Sequence, residues 1–456
     1  MPKIKIHFLG AAHTVTGSKF LIETPDTKIL VDCGMFQGLK ELREKNWEPL
    51  NFDAATIDHV FLTHGHLDHT GFLPRLLSYG FSGKIIGSAP TLAITQIILL
   101  DSAKIQEEEA TKANEEGYTK HKKALPFYTL KQATETIKLF QEAALDTWIQ
   151  LNKYISYRFQ YNGHILGATF IEFKIYEKIF VFSGDIGRKE DLLLYPPKKP
   201  EWADYLFIES TYGNKLHPET SVSEELTQLI TQTITNRGTL IIPSFAVERL
   251  QTLMFILWLL YSKNKIPNIA IYVDSPMGAS VLSVFQRFPK WHKLSHANFN
   301  AMSQRMNMVI SYKDTWKTID NKQPKVVIAG SGMVTGGRVL TYLQQLIDKP
   351  ETTVLLVGFQ AEGTRGRQLL EGAHELKFFG KYYPVKAKIR HNESLSAHAD
   401  QAGILDWLSE IKNIPSNTFL IHGEPLALDA LRVKIKDTYN WECRIPQLNE
   451  IVEFNL

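Results

Sequence analysis

The stretch Thr63-His64-Gly65-His66-Leu67-Asp68-His69 carries three histidines and one aspartate, and it directly follows the apolar run Val60-Phe61-Leu62. A strand that ends in such a stretch brings several short side chains to one point, which is typical of a metal site. Imidazole and carboxylate ligands without a thiolate suit zinc best, with manganese and iron as lesser candidates. The alternative is a solvated loop that happens to be rich in histidine, and four ligand-type side chains in this order count against it.

The spacing within this stretch also indicates how the ligands divide. Side chains alternate along an extended segment, so His64 and His66 lie on the same side and can bind one ion. Asp68 and His69 follow the bend and can reach a second ion. The apolar residues that come next recur at helical spacing: Phe72, Leu73, Leu76 and Leu77. The sequence therefore predicts a ligand-bearing loop between a buried strand and a helix.

Other acids and histidines stand where further strands or loops are predicted to end. Asp32 ends the apolar run Ile29-Leu30-Val31, and Asp185 follows the apolar residues 180–182. The remaining candidates are His164, Glu209, His398 and His422. Each of these residues alone is more typical of a structural role. The stretch 63–69 supplies too few donors for two closed metal sites, however, so His164 and Asp185 are predicted to complete them.

The amino-acid composition limits the kinds of protein that the chain can be. A chain of 456 residues with 44% hydrophobic and 22% charged residues is typical of a globular protein of two or three units. Only Cys33 and Cys443 occur, which favours a reducing compartment. The segment Met1–His7 alternates charged and apolar residues, unlike a signal peptide, and the apolar run Leu253–Tyr261 is shorter than the roughly 20 residues that span a bilayer. We therefore expect a cytoplasmic protein without membrane contact. The net charge of +3 is slight, so affinity for nucleic acid must come from local clusters.

The hydrophobic pattern changes twice along the chain. Short strands are predicted at 3–9, 19–23 and 28–32, and helices at 92–116 and 131–145. Between residues 221 and 358, apolar strands alternate with helical patterns, which predicts a parallel sheet wrapped by helices. The strands are expected at 240–242, 269–273, 326–329 and 354–357. From residue 386 the pattern resembles the first part again, so we expect one domain from 1–211 plus 386–456 and an inserted α/β domain from 212–385.

Glycine-rich turns follow two of these predicted parallel strands, at Gly330–Met333 and Gly358–Arg367. Turns at the carboxyl ends of parallel strands can present backbone N–H groups to a phosphate. Arg338, Arg365 and Arg367 are candidate charge partners. The alternative, that the glycines only make tight turns, stays open.

The candidate residues together resemble the motifs of a known family. Asp32, the stretch 63–69, His164 and Asp185 resemble the metal motifs of the metallo-β-lactamase superfamily. Glu209, His398 and His422 resemble three further motifs of its β-CASP branch, the nucleases that include the pre-mRNA 3′-end processing endonuclease and its bacterial and archaeal relatives. The resemblance covers nearly the whole chain and includes Val15–Ser18, Asp101–Ala103 and Pro243–Ala246. It implies an α/β fold in which an αββα sandwich carries two zinc ions, with Mn²⁺ as a substitute, and an inserted parallel-sheet α/β β-CASP domain forms a cap.

The resemblance also implies a role for each residue. One zinc ion is expected on His64, His66 and His164, the other on Asp68, His69 and His422, with Asp185 bridging them and Asp32 supporting the loop. A hydroxide shared by the two ions then attacks the phosphorus. His398 is expected to protonate the departing 3′ oxygen or hold the phosphate, while Glu209 fixes its tautomer. The expected contacts to RNA or phosphate are Ser331, Gly332, Arg365, Arg367 and Ser396.

The expected function is that of a zinc-dependent ribonuclease that cleaves single-stranded RNA, mainly endonucleolytically, leaving a 5′ phosphate and a 3′ hydroxyl. A histidine at position 422 resembles the RNA-directed members, whereas DNA-directed members have an apolar residue there. Three alternatives remain: a DNA-directed β-CASP nuclease, a hydrolase of small thioesters or lactones, and a non-catalytic RNA-binding subunit. Single-stranded RNA is the expected partner, and both a monomer and a homodimer are open. In contrast to longer members, neither a KH-like segment before residue 1 nor a further domain after residue 456 is expected.

Overall fold

The computed structural model describes residues 3–117, 122–218 and 222–455, and the chain divides into two units. Unit 1 comprises Met1–Gln37, Glu41–Leu216 and His398–Leu456. Unit 2 comprises Gly38–Lys40 and His217–Ala397. Unit 1 is therefore built from segments at both ends of the sequence, and the middle of the chain forms unit 2.

Two seven-stranded sheets form the centre of unit 1. The first has the order β22-β1-β2-β3-β4-β5-β6, with β1 Lys3–Phe8, β2 Phe20–Glu23, β3 Lys28–Val31, β4 His59–Phe61, β5 Lys84–Gly87, β6 Phe140–Glu142 and β22 Ile451–Asn455. The second has the order β21-β20-β11-β10-β9-β8-β7, with β7 Ile149–Gln150, β8 Ile155–Tyr161, β9 Thr169–Ile175, β10 Lys178–Phe182, β11 Tyr205–Glu209, β20 Asn417–Ile421 and β21 Cys443–Arg444. The helices are α1 Lys40–Lys45, α2 Leu67–Thr70, α3 Leu73–Ser78, α4 Ala89–Glu115, α5 Leu130–Ile137, α13 Gln401–Leu408 and α14 Pro425–Tyr439, with a short 3₁₀ turn at Ala54–Thr56.

The two sheets pack face to face around an aromatic core. Because successive strand residues point to opposite faces, Phe61 of the first sheet and Phe173 of the second meet in this core, with their ring centroids 5.0 Å apart. On the outer face of the first sheet, Leu30 lies in a hydrophobic cluster with residues of α3. On the outer face of the second sheet, Leu420 lies in a cluster with Trp407 of α13. Each fully buried side chain of this size contributes about 1.5–3 kcal/mol. These layers confirm the predicted αββα sandwich.

The predicted helix over 131–145 is wrong in its second half. Helix α5 ends at Ile137, and Phe140–Glu142 forms the edge strand β6, paired in parallel with β5. The backbone N–H of Ile85 donates to the carbonyl of Leu139 at 2.9 Å. Pairing with an existing sheet edge thus overrides the local helical preference of this segment.

Unit 2 contains the predicted parallel sheet. Its order is β14-β13-β15-β12-β16-β19 and every pairing is parallel, with β12 Thr239–Pro243, β13 Ala270–Asp274, β14 Asn307–Met308, β15 Lys325–Ala329, β16 Thr353–Val357 and β19 Lys388–Asn392. Strands β17 Glu375–Phe378 and β18 Lys381–Pro384 form a separate antiparallel hairpin. The helices are α6 Val222–Thr235, α7 Arg249–Ser262, α8 Pro276–Arg287, α9 His296–Arg305, α10 Tyr312–Asp320, α11 Arg338–Leu346 and α12 Arg365–Leu370, with a 3₁₀ turn at Pro289–Trp291.

The return from this sheet to unit 1 comes later than residue 386, where the sequence predicted it. Strand β19 pairs with β16 along the edge of the parallel sheet, and unit 2 extends to Ala397. The partly buried Ile389 packs against the core of unit 2. The segment therefore belongs to the inserted sheet because its apolar side is buried there.

Within the three described ranges, no helix is both long and apolar enough to cross a membrane.

Candidate metal centre

The ligand stretch begins after β4 and ends in a helix. His64 and His66 lie in the connection, whereas Asp68 and His69 lie in the short helix α2, so the predicted loop is partly helical. The segment after β3 lies close against this helix, because a Cβ atom on Gly34 would stand 1.5 Å from the carbonyl oxygen of Asp68. Only a glycine at position 34 leaves room for the backbone that carries these two ligands.

The first ligand group contains His64, His66, His164 and Asp185. Nδ1 of His66 lies 3.1 Å from Nε2 of His64 and 3.3 Å from Nε2 of His164. Oδ2 of Asp185 lies 3.4 Å from Nε2 of His64 and 3.5 Å from Nε2 of His164. A tetrahedral ion with bonds of about 2.0–2.1 Å has its ligand atoms about 3.3–3.4 Å apart. These four separations thus match those between ligand atoms of one metal ion.

The second ligand group contains Asp68, His69 and His422. Nε2 of His422 lies 3.3 Å from Nε2 of His69 and 3.4 Å from Oδ2 of Asp68. The other oxygen of Asp185, Oδ1, lies 3.4 Å from Nε2 of His69. Asp185 consequently presents one carboxylate oxygen to each group.

The electrostatics of the cluster favour cations. Oδ1 of Asp185 is buried and accepts no hydrogen bond, a costly state that a cation would relieve. Burial alone would raise the pKa of Asp185, but His422 and His69 outweigh it and hold that pKa well below its ordinary value. Burial, followed by the neighbouring His69, lowers the pKa of His64, which keeps this imidazole neutral and able to ligate. His and Asp groups are therefore placed to bind metal ions.

Side chains behind the ligands fix their orientation. Oδ2 of Asp32 lies 2.7 Å from Nδ1 of His69, which directs Nε2 of that ring toward the second group. Oγ1 of Thr211 lies 3.1 Å from Nδ1 of His422, and Oγ1 of Thr63 lies 3.1 Å from Nδ1 of His64. Both Asp32 and His422 have positive φ, 57° and 50°, a conformation that is costly for residues other than glycine. The fold thus holds strained backbone where it positions ligands.

The sequence analysis did not identify Thr63 and Thr211 as residues that orient the ligands. Each stands next to a candidate residue or strand end in the chain, Thr63 directly before His64 and Thr211 two residues after Glu209. A hydroxyl beside a predicted ligand was the available signal. Asn162 was also missed, and its side-chain amide donates to the carbonyl of Asp185 at 2.6 Å.

Replacing Asp32 with asparagine is expected to weaken metal binding at the second group. The amide lacks the charge that holds Nδ1–H of His69, and such outer partners typically change metal affinity by about 10–100-fold. Competition with a chelator measures the effect. Asp26→Asn, an exposed aspartate on the turn between β2 and β3, is the matched control and should leave metal affinity unchanged. Equal affinities in the two variants would contradict the orienting role of Asp32.

His398 and Glu209 form a pair beside the first group. Nδ1 of His398 lies 3.0 Å from Oε1 of Glu209, and Nε2 lies 3.9 Å from Oδ2 of Asp185. Glu209 is buried and also accepts the backbone N–H groups of Ile186 and Thr211, at 2.8 and 3.0 Å. Burial would lower the pKa of His398, but Glu209 and Asp185 outweigh it and raise that pKa. With Nδ1 engaged by Glu209, Nε2 is the ring nitrogen that faces Asp185.

The predicted phosphate contacts all lie in unit 2. The Ser331 hydroxyl accepts from the backbone N–H groups of Thr335 and Gly336, at 3.0 and 3.2 Å, and the Gly332 carbonyl accepts from Gln360. Ser396 is buried near the end of the unit. Ser331 and Gly332 do lie in a turn after β15, as expected.

The two arginines of α12 have protein partners. Arg365 donates to the carbonyl oxygens of Lys377, Val334 and Thr335, at 2.8, 3.4 and 3.3 Å. Arg367 pairs with Glu371 at 2.7 Å. The Arg365 guanidinium thus joins α12 to the neighbouring turn and hairpin, a structural arrangement that the sequence did not predict.

Arg338, which the sequence analysis expected to serve a phosphate, has partners within the protein. Its guanidinium lies 3.2 Å from Oδ1 of Asp274, a fully buried carboxylate that also accepts from Thr315 and Tyr342 at 2.6 and 2.9 Å. The ring of Tyr312 lies 3.9 Å from the guanidinium carbon. Asp274 is 64 residues from Arg338 in the chain, so no local pattern reveals this pairing.

Asp274→Ala is expected to destabilise the protein by about 3–5 kcal/mol, because removing one partner of a buried ion pair leaves the other charge uncompensated. Chemical denaturation followed by tryptophan fluorescence measures the change. Asp320→Ala, at the exposed end of α10, is the matched control, with an expected change within about 0.5 kcal/mol. Equal stabilities for the two variants would show that the Arg338 pair contributes little.

Comparison with known proteins gives consistent results over most of the chain. Family models match for the metallo-beta-lactamase superfamily at residues 15–122, the Beta-Casp domain at 250–369 and the Zn-dependent metallo-hydrolase RNA specificity domain at 382–446. The chain is 32% identical over 429 residues to Ribonuclease TTHA0252 of Thermus thermophilus, covering 92% of this chain and 94% of that protein. It is 30% identical over 430 residues to an RNase J-like protein of Methanocaldococcus jannaschii, covering 92% and 93%. A crystal structure of a protein of unknown function from Enterococcus faecalis superposes with a TM-score of 0.54 at 14% identity, covering 99% of this chain and all of that one, which supports the fold alone.

Proposed function

The chain belongs to the β-CASP branch of the metallo-β-lactamase superfamily, and from this premise we propose that it is a zinc-dependent ribonuclease that cleaves single-stranded RNA, mainly endonucleolytically, leaving a 5′ phosphate and a 3′ hydroxyl. It is a metal-dependent hydrolase, and its ribonuclease relatives support activity on RNA. The observation that carries the proposal is the bridging position of Asp185 between two ligand groups, with His398 beside it.

Zinc is the metal that best fits the donor set. The seven proposed ligands offer nitrogen and oxygen atoms only, and the first group has nearly tetrahedral separations, both of which suit zinc. Manganese is the substitute that this set would accept, since it also binds imidazole and carboxylate. When bound, two such ions lower the pKa of coordinated water and offset the charge that develops on the phosphate.

The chain's own residues supply the remaining chemistry. His64, His66 and His164 would hold the first ion, Asp68, His69 and His422 would hold the second, and Asp185 would contribute to both. Because Glu209 holds Nδ1–H of His398, Nε2 of that ring can donate a proton to the departing 3′ oxygen or a hydrogen bond to the phosphate. Asp32 keeps His69 in the tautomer that presents Nε2. A water oxygen that adds to the phosphorus opposite the 3′ oxygen forms a new P–O bond while the P–O3′ bond breaks. The water proton goes to solvent and the departing 3′ oxygen takes up a proton, which yields the proposed 5′ phosphate and 3′ hydroxyl.

RNA is favoured over the alternative substrates. The RNA specificity domain match at residues 382–446 includes both His398 and His422. A hydrolase of small thioesters or lactones needs neither the inserted parallel sheet of unit 2 nor His398. Every proposed ligand comes from one chain, so the chemistry is compatible with a monomer or a homodimer.

Circular RNA gives the sharpest test, because a circle has no end at which an exonuclease could begin. The purified chain is incubated with labelled circular RNA, the matching linear RNA, single-stranded DNA of the same sequence and a generic thioester. We expect cleavage of both RNAs, with product ends that a ligase joins without prior phosphorylation. Cleavage of the linear RNA alone would overturn the endonuclease proposal. Faster cleavage of DNA or of the thioester would overturn the substrate class.

A further inference from the structure

Hairpin β17–β18 and strand β19 of unit 2 carry a concentration of positive charge. Between residues 376 and 392 the chain has five lysines and arginines and no acidic residue, although its overall net charge is only +3. These residues, here called the basic surface, are Lys377, Lys381, Lys386, Lys388 and Arg390. All five are exposed. Within the described part of the chain, none of the five has a carboxylate within 4 Å.

Three of these cations form a row. Along 386–390, Lys386, Lys388 and Arg390 are exposed, whereas Ala387 is buried and Ile389 packs against the core of unit 2. Within strand β19, Lys388 and Arg390 share a face and stand about 6.7 Å apart, and Lys386 precedes the strand across a bend at residue 387. This separation is close to that of successive phosphates in an extended single strand. The row is therefore complementary in charge and in spacing to a nucleic-acid backbone.

The hairpin adds an aromatic side chain to this charge. Leu376 and Phe378 are buried, while Lys377 and Tyr382 face each other in register on the opposite side of the hairpin. Nζ of Lys377 lies 5.3 Å from the centroid of the Tyr382 ring, and Tyr382 is 62% exposed. An exposed ring next to a cation is the arrangement on which nucleobases stack in proteins that bind single strands.

We propose that the basic surface binds the backbone of single-stranded RNA while one base stacks on Tyr382. This inference rests on the proposed ribonuclease function. The proposal places the contacts to the RNA backbone on these exposed cations. The guanidinium groups of Arg338 and Arg365 instead interact with groups within the protein. An anionic membrane offers charge but no base for Tyr382, so RNA fits the combination better.

Two triple variants with the same loss of charge test the row. The first variant combines Lys386→Ala, Lys388→Ala and Arg390→Ala. The control combines Lys263→Ala, Lys265→Ala and Lys290→Ala, at three lysines that are exposed elsewhere in unit 2. Both are made in the full chain carrying His398→Ala, to slow cleavage. Binding of a labelled RNA of about 20 nucleotides, longer than a site of roughly 4–16 nucleotides, is followed by anisotropy at several salt concentrations.

The first triple variant should flatten the slope of log affinity against log salt by about 2, since each neutralised phosphate of a single strand contributes about 0.7. The control should keep the parent slope. Tyr382→Ala should weaken binding by roughly tenfold or more, the usual cost of losing one base–aromatic stack, while Tyr382→Phe should bind as the parent does. Melting temperatures close to the parent's show that the variants are folded.

Three results would overturn the inference. If the unmodified chain cleaves RNA and the two triple variants have equal slopes, the basic surface does not bind the RNA backbone. The ribonuclease proposal would be unaffected by that result. Loss of binding to phosphatidylserine vesicles in the first variant, with its RNA slope unchanged, would assign the surface to a membrane. Neither cleavage nor binding of RNA by the unmodified chain would overturn both proposals.

Discussion

Replacing Asp185 with asparagine is expected to remove metal from both ligand groups and to reduce RNA cleavage to the background level. Oδ2 of Asp185 lies 3.4 Å from Nε2 of His64, and Oδ1 lies 3.4 Å from Nε2 of His69. An asparagine has one oxygen and no charge, so it cannot serve both groups. Metal analysis of the purified proteins measures the effect: we expect two ions per unmodified chain and fewer than one in the variant.

His422→Ala separates the two groups in the same experiment. His422 contacts Asp68 and His69 but takes no part in the first group, so its removal should deplete mainly one ion. Chelation should abolish activity, and added zinc should restore it. One ion per chain in fully active protein would contradict the dinuclear arrangement, and two ions in active Asp185→Asn protein would show that this carboxylate does not bridge.

The sequence predicted the ligands of residues 64–69 because their spacing is short-range, whereas the metal role of His422 was implied only by the family resemblance. His64 and His66 alternate along one extended segment, and Asp185 follows a strand whose apolar residues are contiguous, so each residue could be placed from its neighbours alone. The structure brings all seven proposed ligands together with Glu209 and His398. The structure adds the way in which the two carboxylate oxygens of Asp185 are divided between the two groups. This division depends on atomic positions, which residue spacing along the chain does not give.

The sequence alone did not reveal which segments far apart in the chain pair with each other. Arg338 stands beside a glycine-rich turn, which favoured a phosphate role, yet its partner is Asp274 on another strand. Strand β19 appeared to start the final domain, but its place is set by pairing with β16. In both cases the deciding interaction joins segments that are far apart in the chain, and local propensity contains no information about it.

His398→Ala is expected to leave both metal ions and the fold in place while lowering the cleavage rate by about 10²–10⁴-fold, the range typical of a lost general acid–base group. His398 forms a third cluster with Asp185 and Glu209 but belongs to neither of the two groups proposed to hold metal, so its removal leaves the seven proposed ligands in place. The measurements are single-turnover cleavage of RNA, metal content and melting temperature. A reduced melting temperature with the rate per folded molecule nearly intact would show instead that His398 only joins segments of unit 1.

Glu209→Gln distinguishes a positioning role from a merely structural one. The glutamine keeps an oxygen near Nδ1 of His398 but loses the charge, so cleavage should fall less than in His398→Ala. Because the two residues would act as a unit, adding Glu209→Gln to His398→Ala should cost little beyond His398→Ala alone. Independent sites would instead multiply their effects, since their free energies add. A double variant slowed by the full product of the two single effects would therefore show that Glu209 acts through something other than His398, and its contacts to the backbone N–H groups of Ile186 and Thr211 would be the next place to look.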